Sequence, residues 1–362
     1  MEIGIIGLPF SGKTTLFSTL TGLDTSTAQH SGKIEVHRGI VKVPDERLDK
    51  LTEIFRPRKQ VNATIEYIEV GGVEQEASHG KGFDPQFLAV LKNTDALCHV
   101  VRAFQDEVYP HPEGSIDVVR DVQIVETEFI LSDLSIVENR IARLEKQIMR
   151  ARNEEDVKEL ELMKRCREQL EAEKPLRELP LSEEEQRKIR GYQFLSAKPL
   201  ILAVNYGEED IVREEEILKP LQEYAQKPNV VVTGFSAKVE LEISQLEEDD
   251  RDLFLQEMKI SEPALHKLIR KSYELLGLIS FFTVGEDECR AWTIRQNTPA
   301  QKAAGVIHSD LERGFIRAEV VNFRDFIQYG SLARCREKGI LRLEGKDYIV
   351  QDGDIITVRF NV

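Results

Sequence analysis

The sequence predicts an α/β chain: a parallel-sheet domain at its start, an antiparallel helical coiled coil inserted into that domain, and a compact β-rich module at its end. Three observations carry this reading. An Ile-rich apolar run passes through a glycine-bounded loop into a helical pattern within the first twenty residues. Apolar residues at 134, 137, 141, 144, 148 and 151 recur at spacings of three and four. Residues 278–362 alternate short β-type runs with turn signals.

The first element is the apolar run of residues 1–7, which reads as a buried parallel strand rather than a secretory signal, because it has no basic flank and glycine interrupts it. It runs into Gly7-Leu8-Pro9-Phe10-Ser11-Gly12-Lys13-Thr14, a full match to GxxxxGK[ST], and then into helical spacing from Thr15. Strand, loop and helix in that order are the context in which this motif binds polyphosphate. Gly7 and Gly12 let backbone amides turn inward, with Pro9, Phe10 and Ser11 in the loop between them. The helix start adds positive potential, Lys13 brings a charge, and the Thr14 hydroxyl would face Mg2+.

Further strands follow at 64–70, 96–101, 198–204 and 229–232. The first ends in Glu69-Val70-Gly71-Gly72, where Glu69 would support Mg2+ and the Gly72 amide would sense the terminal phosphate. Later loops present Asn205-Tyr206-Gly207-Glu208 and Ser236-Ala237-Lys238 at carboxyl ends of strands, where open α/β sheets bind ligands.

The seam at 134–151 reaches a tip near 152–156 and returns through Val157, Leu160, Met163 and Leu170, giving an antiparallel arm. Its outgoing helix carries Arg140, Arg143, Lys146, Arg150 and Arg152. These could meet RNA phosphates, but the glutamates of the returning helix favour ordinary ion pairing. The expected segments are 1–130 and 196–277 for the two parts of the nucleotide domain, 131–195 for the arm and 278–362 for the end module.

Composition narrows the classes. With 41% hydrophobic and 31% charged residues the chain has enough apolar material for cores, which excludes a disordered or fibrous protein. The formal charge of −15 disfavours wholesale coating of nucleic acid. The acidic excess lies outside the near-neutral arm and end module, so those are the parts that least repel a phosphate-rich partner. Cys98, Cys166, Cys289 and Cys335 lie far apart, which excludes a disulfide scaffold or zinc ribbon and suits a reducing, cytoplasmic setting. No run reaches the roughly 18–20 apolar residues of a membrane helix, so no membrane partner is expected.

Beyond these motifs, the chain resembles the YchF-type branch of the Obg-like P-loop family over nearly its whole length. The most specific carriers are RAWTI at 290–294, AAGVIHSDLERGFIRAEV at 303–320 and GKDYIVQDGD at 345–354. The resemblance implies a ubiquitin-like TGS-type end domain, slow Mg2+-dependent hydrolysis of a nucleoside triphosphate, and a ribosome or translation-factor partner, with RNA contact through the arm or the TGS-type domain. It also implies that Asn205, Tyr206, Glu208, Ser236, Ala237 and Lys238 frame the base, with Glu208 in the Asn-x-x-Glu variant that goes with ATP. GTP remains the alternative. Val73 stands where many such enzymes have a water-orienting glutamine. His111, in a loop that follows a central strand and at a place where the resembled family has a histidine, is the catalytic candidate, weighed against an ordinary loop histidine between two prolines. Lys33, Glu69, Phe10 and Ser11 depart from the usual residues at their positions. These departures motivate a second reading, a nucleotide-responsive scaffold with little or no hydrolysis; a GTP-specific factor is a third.

Overall fold

Among the described residues, the strands before the C-terminal region are β1 (Glu2–Ile6), β2 (Glu35–Lys42), β3 (Lys59–Val61), β4 (Thr64–Gly71), β5 (Ala96–Ala103), β6 (Leu200–Tyr206) and β7 (Val230–Phe235). The helices that accompany them include α1 (Lys13–Thr21), α2 (Glu46–Phe55), α3 (Pro85–Lys92), α4 (Val118–Arg150) and α5 (Glu154–Glu171). The computed structural model describes residues 1–23, 35–71, 83–258 and 260–361. Two compact units emerge, Met1–Gly39 with Glu66–Leu268, and Ile40–Ile65 with Ile269–Val362.

The first unit is built on a sheet of order β2-β4-β1-β5-β6-β7. β1 lies parallel to β4 and β5, and β5-β6-β7 continue in parallel. Every residue of β6, and all of β5 up to Arg102, is buried. Unbroken burial of that kind belongs to strands covered on both faces and explains their continuous apolar runs. Ile6, Leu8, Leu97, Val101, Leu202 and Val204 pack there with Val122, Val125 and Phe129 from α4.

α4 begins at Val118, thirteen residues before the expected start of the arm, where Asp117 accepts hydrogen bonds from the Val119 and Arg120 amides. The helical period runs on without a break while its partner changes: residues up to Phe129 face the sheet, and those from Ile130 face α5. A change of partner leaves no mark on periodicity, which is why a boundary at 131 is not seen. Val137, Ile141 and Leu144 bury against Leu162, Met163, Cys166 and Leu170. Toward the tip Ile148 is half-buried and Ala151 exposed, so the seam stops short of its expected end.

The second unit holds a sheet of order β11-β10-β12-β8-β9-β3, with β8 (Leu278–Thr283), β9 (Glu288–Arg295), β10 (Phe315–Asn322), β11 (Arg342–Glu344) and β12 (Asp354–Phe360). Ile279, Phe281, Ile294, Val320 and Ile356 form its core with Ala300 and Ala303 of the helix Ala300–Ile307. Two features differ from a β-rich module confined to 278–362. Helices also lie at Ser309–Arg313, Phe323–Tyr329 and Leu332–Glu337. In addition, β3 pairs in parallel with β9, which recruits residues 40–65 to this unit. Among the described residues, no helix is long and apolar enough to cross a membrane.

Candidate functional site: a phosphate loop braced by Asn205

The loop leaving β1 is shaped by two glycines. Gly7 has φ 151°, and a Cβ there would sit 2.4 Å from the Val100 carbonyl oxygen. Gly12 has φ 95°, and a Cβ there would sit 2.4 Å from the Asn205 amide nitrogen. Side chains at either place would break the loop's seat on the sheet. Gly12 is also the N-cap of α1, and no side chain caps that helix. Its first-turn amides therefore keep their capacity for an anion, which the helix dipole favours.

Lys13 is only 8% exposed, and its ammonium donates to the Leu8 carbonyl at 2.8 Å. Pro9 and Ser11 are buried beside it, Thr15 is half-buried, and Phe10 is exposed. Thr14 Oγ1 donates to Glu69 Oε1 at 2.6 Å, across 55 residues of sequence. Glu69 lies near the end of β4, paired with Ile5 of β1, so the sheet register itself places this carboxylate against the start of α1. Two hard oxygen donors side by side at a phosphate loop fit Mg2+. Among the described residues no cluster of three or more His, Cys, Asp or Glu side chains could hold a metal. Gly72, Val73 and Lys33 lie outside the described residues.

Two residues expected to frame the base lie within the sheet. Asn205 is 3% exposed and lies in β6 rather than in the loop after it. Its Nδ2 donates to the Ser11 carbonyl at 3.0 Å, and its Oδ1 accepts from the Ala237 amide at 3.0 Å. Both ends of the amide are thus used in bracing the phosphate loop against the helix Ala237–Gln245. Tyr206 points the other way, as alternation along a strand requires, and is buried against Gly234 with its hydroxyl 3.5 Å from Glu214. Burial pushes its phenol well above the usual range. Glu208 and Lys238 do stand at the surface, joined by a 2.8 Å ion pair. Ser236 and Ala237 are buried behind them.

His111 is held on both ring nitrogens. Nδ1 accepts from the Glu113 amide at 3.2 Å, which assigns the proton to Nε2, 2.9 Å from Asp121 Oδ2. Arg120 donates twice to the other Asp121 oxygen, at 2.8 and 3.0 Å. Burial raises the Asp121 carboxyl above its ordinary value, against the opposing pull of Arg120 and His111. The histidine therefore has the partner that orients an imidazole, but its lone pair faces a backbone amide.

Sequence reasoning missed Asp121 and His99. His99 lies opposite Ile6 in the sheet, fully inside, and neither ring nitrogen has a hydrogen-bond partner among the described residues. Burial, reinforced by the charge of Lys13, holds it down to about 3, so it is neutral. Its position within an apolar strand pattern was the available signal.

A parallel sheet, a glycine-shaped loop with a buried lysine, and a threonine–carboxylate pair at the helix start define a P-loop nucleoside triphosphatase. Residues 2–140 match the family model described as a 50S ribosome-binding GTPase, and residues 278–361 match YchF-GTPase_C, described as a protein of unknown function. The chain is 41% identical over 365 residues to the ribosome-binding ATPase YchF of Bacillus subtilis, with 100% of both chains covered. It is 40% identical over 363 residues to that of Escherichia coli O157:H7, covering 100% of this chain and 99% of the other. Among solved structures, the Schizosaccharomyces pombe YchF GTPase matches with a TM-score of 0.87 and 31% identity, covering 99% and 97% of the two chains. The chain belongs to the YchF family.

Proposed function

We propose that this chain binds ATP at residues 7–15 with Mg2+ at Thr14 and Glu69, hydrolyses it slowly, and uses the cycle to change its engagement with the ribosome. The observation that carries the reading is the Thr14–Glu69 contact beside the buried Lys13. On triphosphate binding, Lys13 exchanges the Leu8 carbonyl for phosphate oxygens, and the amides of the α1 first turn meet the same anion. Thr14 and Glu69 would hold the metal, which offsets charge on the phosphates when bound.

ATP is preferred over GTP because the Glu208 carboxylate already accepts from Lys238, which leaves it a poor acceptor for both guanine N–H groups. The relatives in Bacillus and Escherichia are named ATPases, while the fission-yeast structure is titled a GTPase. For hydrolysis, His111 would take a proton from water at Nδ1 once that atom leaves the Glu113 amide, with Asp121 stabilising the imidazolium. The Gly72 amide would report the terminal phosphate. The ribosome-facing parts are the 131–195 arm and a TGS-type domain at 278–362, and the chain works in the cytoplasm. Arg140 is paired with Glu159 at 2.7 Å, whereas Arg143, Lys146, Arg150 and Arg152 are exposed on the arm and available for RNA phosphates.

A second reading, a nucleotide-responsive scaffold with little turnover, is favoured by one observation: both nitrogens of His111 are engaged. Single-turnover phosphate release with ATP and with GTP, in the presence and absence of ribosomes, separates the readings. ATP hydrolysis stimulated by ribosomes supports the switch. Absence of release under all four conditions leaves the scaffold, and GTP bound tenfold tighter than ATP overturns the base assignment.

A further inference from the structure

Arg102 closes β5 and is almost wholly buried, yet its hydrogen bonds run to carbonyls rather than to a carboxylate. Nη2 donates to the Tyr109 carbonyl at 2.8 Å, Nε to the Phe104 carbonyl at 3.1 Å, and Nη1 reaches the Phe10 carbonyl at 3.5 Å. Its guanidinium also lies 4.5 Å from the centre of the Phe104 ring. Two of these three carbonyls belong to the segment that delivers His111, and the third belongs to the phosphate loop. A rigid guanidinium fork is suited to fixing several acceptors in one geometry.

A second contact joins the same two segments. The rings of Phe10 and Tyr109 stack at 5.3 Å with 29° between their planes. They are 46% and 53% exposed, so this is not core packing. Phe10 moreover has φ 59°, a left-handed conformation that asparagine or glycine adopts with ease and a bulky side chain does not. An unfavourable residue held in an unfavourable conformation at a functional loop is one whose side chain has a task there. Tyr109 is presented by a tight turn: Asp106 Oδ1 accepts from the Val108 amide at 2.9 Å and the Tyr109 amide at 3.1 Å.

We propose that Arg102 and the Phe10–Tyr109 stack are positioning residues that couple the phosphate loop to the His111 segment, so that a triphosphate seated against the loop resets where His111 stands. The inference rests on the reading of this site as a hydrolase assisted by His111. The mechanical part does not need turnover: the phosphate-loop amides move onto the anion, the Phe10 carbonyl and ring move with them, and residues 104–111 follow.

The test uses the full chain, single variants and one double variant, Phe10→Asn with Tyr109→Ala. Phe10→Asn keeps the left-handed backbone and removes the ring, Tyr109→Ala removes the other ring, Tyr109→Phe restores it, and Arg102→Lys keeps the charge without the fork. Single-turnover ATP hydrolysis should slow by about two- to tenfold in Phe10→Asn and in Tyr109→Ala. The double variant should be no slower than either single one, Tyr109→Phe should match the parent, and nucleotide affinity of Tyr109→Ala, which lies outside the phosphate loop, should change less than twofold. Multiplicative losses in the double variant, or losses of affinity without loss of rate, overturn the coupling. Hydrogen exchange of amides 104–117, with and without a non-hydrolysable ATP analogue, reads the coupling directly even if the parent does not turn over. Exchange there should respond to nucleotide in the parent and Tyr109→Phe, and fail to respond in Phe10→Asn and Arg102→Lys while phosphate-loop amides remain protected. An equal response in all four refutes the proposal. Hydrolysis in His111→Ala at the parent rate refutes instead the role assigned to that histidine.

Discussion

Replacing Asn205 with alanine removes two buried hydrogen bonds at once, because one side-chain amide serves the Ser11 carbonyl and the Ala237 amide, each at 3.0 Å. A typical net contribution is ~1 kcal/mol per bond, and stranding a buried donor or acceptor adds a further ~1–3 kcal/mol. Water reaching the vacated space would satisfy part of that deficit, so the expected loss is about 2–4 kcal/mol. Urea unfolding followed by circular dichroism measures it, with an unchanged denaturant slope expected if the unfolded state is unaffected. The same loss should weaken ATP and GTP binding by a similar factor, since the brace shapes the phosphate loop that both nucleotides would share. A destabilisation under about 0.5 kcal/mol, accompanied by a selective loss for one nucleotide, would refute the brace and restore Asn205 as a base contact.

The buried His99 is held at about 3 in the folded chain, against an ordinary value near 6.5. Between those values the unfolded state binds a proton that the folded state does not, so stability is intact above about pH 6.5 and falls as pH drops toward 3. His99→Leu should remove up to about 3 kcal/mol of the loss between pH 7 and pH 4, read as a flatter stability profile. In the arm, Arg140 grips Glu159 with two bonds of 2.7 and 2.8 Å and holds that carboxyl below its ordinary value. Its stability contribution is present above the ordinary glutamate value and disappears on further acidification; at pH 7, Arg140→Ala should cost about 1–2 kcal/mol, measured by thermal unfolding. Finally, Thr14→Ala or Glu69→Ala should abolish most of the Mg2+ dependence of ATP affinity, about tenfold or more, while binding of metal-free nucleotide changes little; calorimetric titration with and without Mg2+ measures both.

The legible part of this molecule is the part written in local pattern. The glycines at 7 and 12, Lys13 and Thr14 stand in the loop and helix start where the motif puts them, because strand, loop and helix are contiguous in sequence. The α4 period is equally plain, although its stretch up to Phe129 faces a sheet rather than α5. Pairing at long range is another matter. Nothing local announces that residues 59–61 pair with 288–290, or that Arg102 gathers carbonyls from positions 10, 104 and 109. The placement of Asn205 and Tyr206 was not legible for one reason: β6 runs two residues further than its apolar pattern, so both side chains fall inside the sheet. His111 could be named, but Asp121, ten residues on in the first turn of α4, could not be matched to it without knowing how the connecting loop folds back.

The proposed cycle depends on residues 7–15 binding a nucleoside triphosphate through Lys13 and the α1 first turn. Calorimetric titration of nucleotide-free protein with ATP and Mg2+, for the parent and for Lys13→Ala, tests this binding without any intermediate assumption. Loss of a buried charge-assisted contact to phosphate predicts affinity lower by on the order of a hundredfold. Equal affinity in the two proteins would remove Lys13, and with it the phosphate loop, from the site.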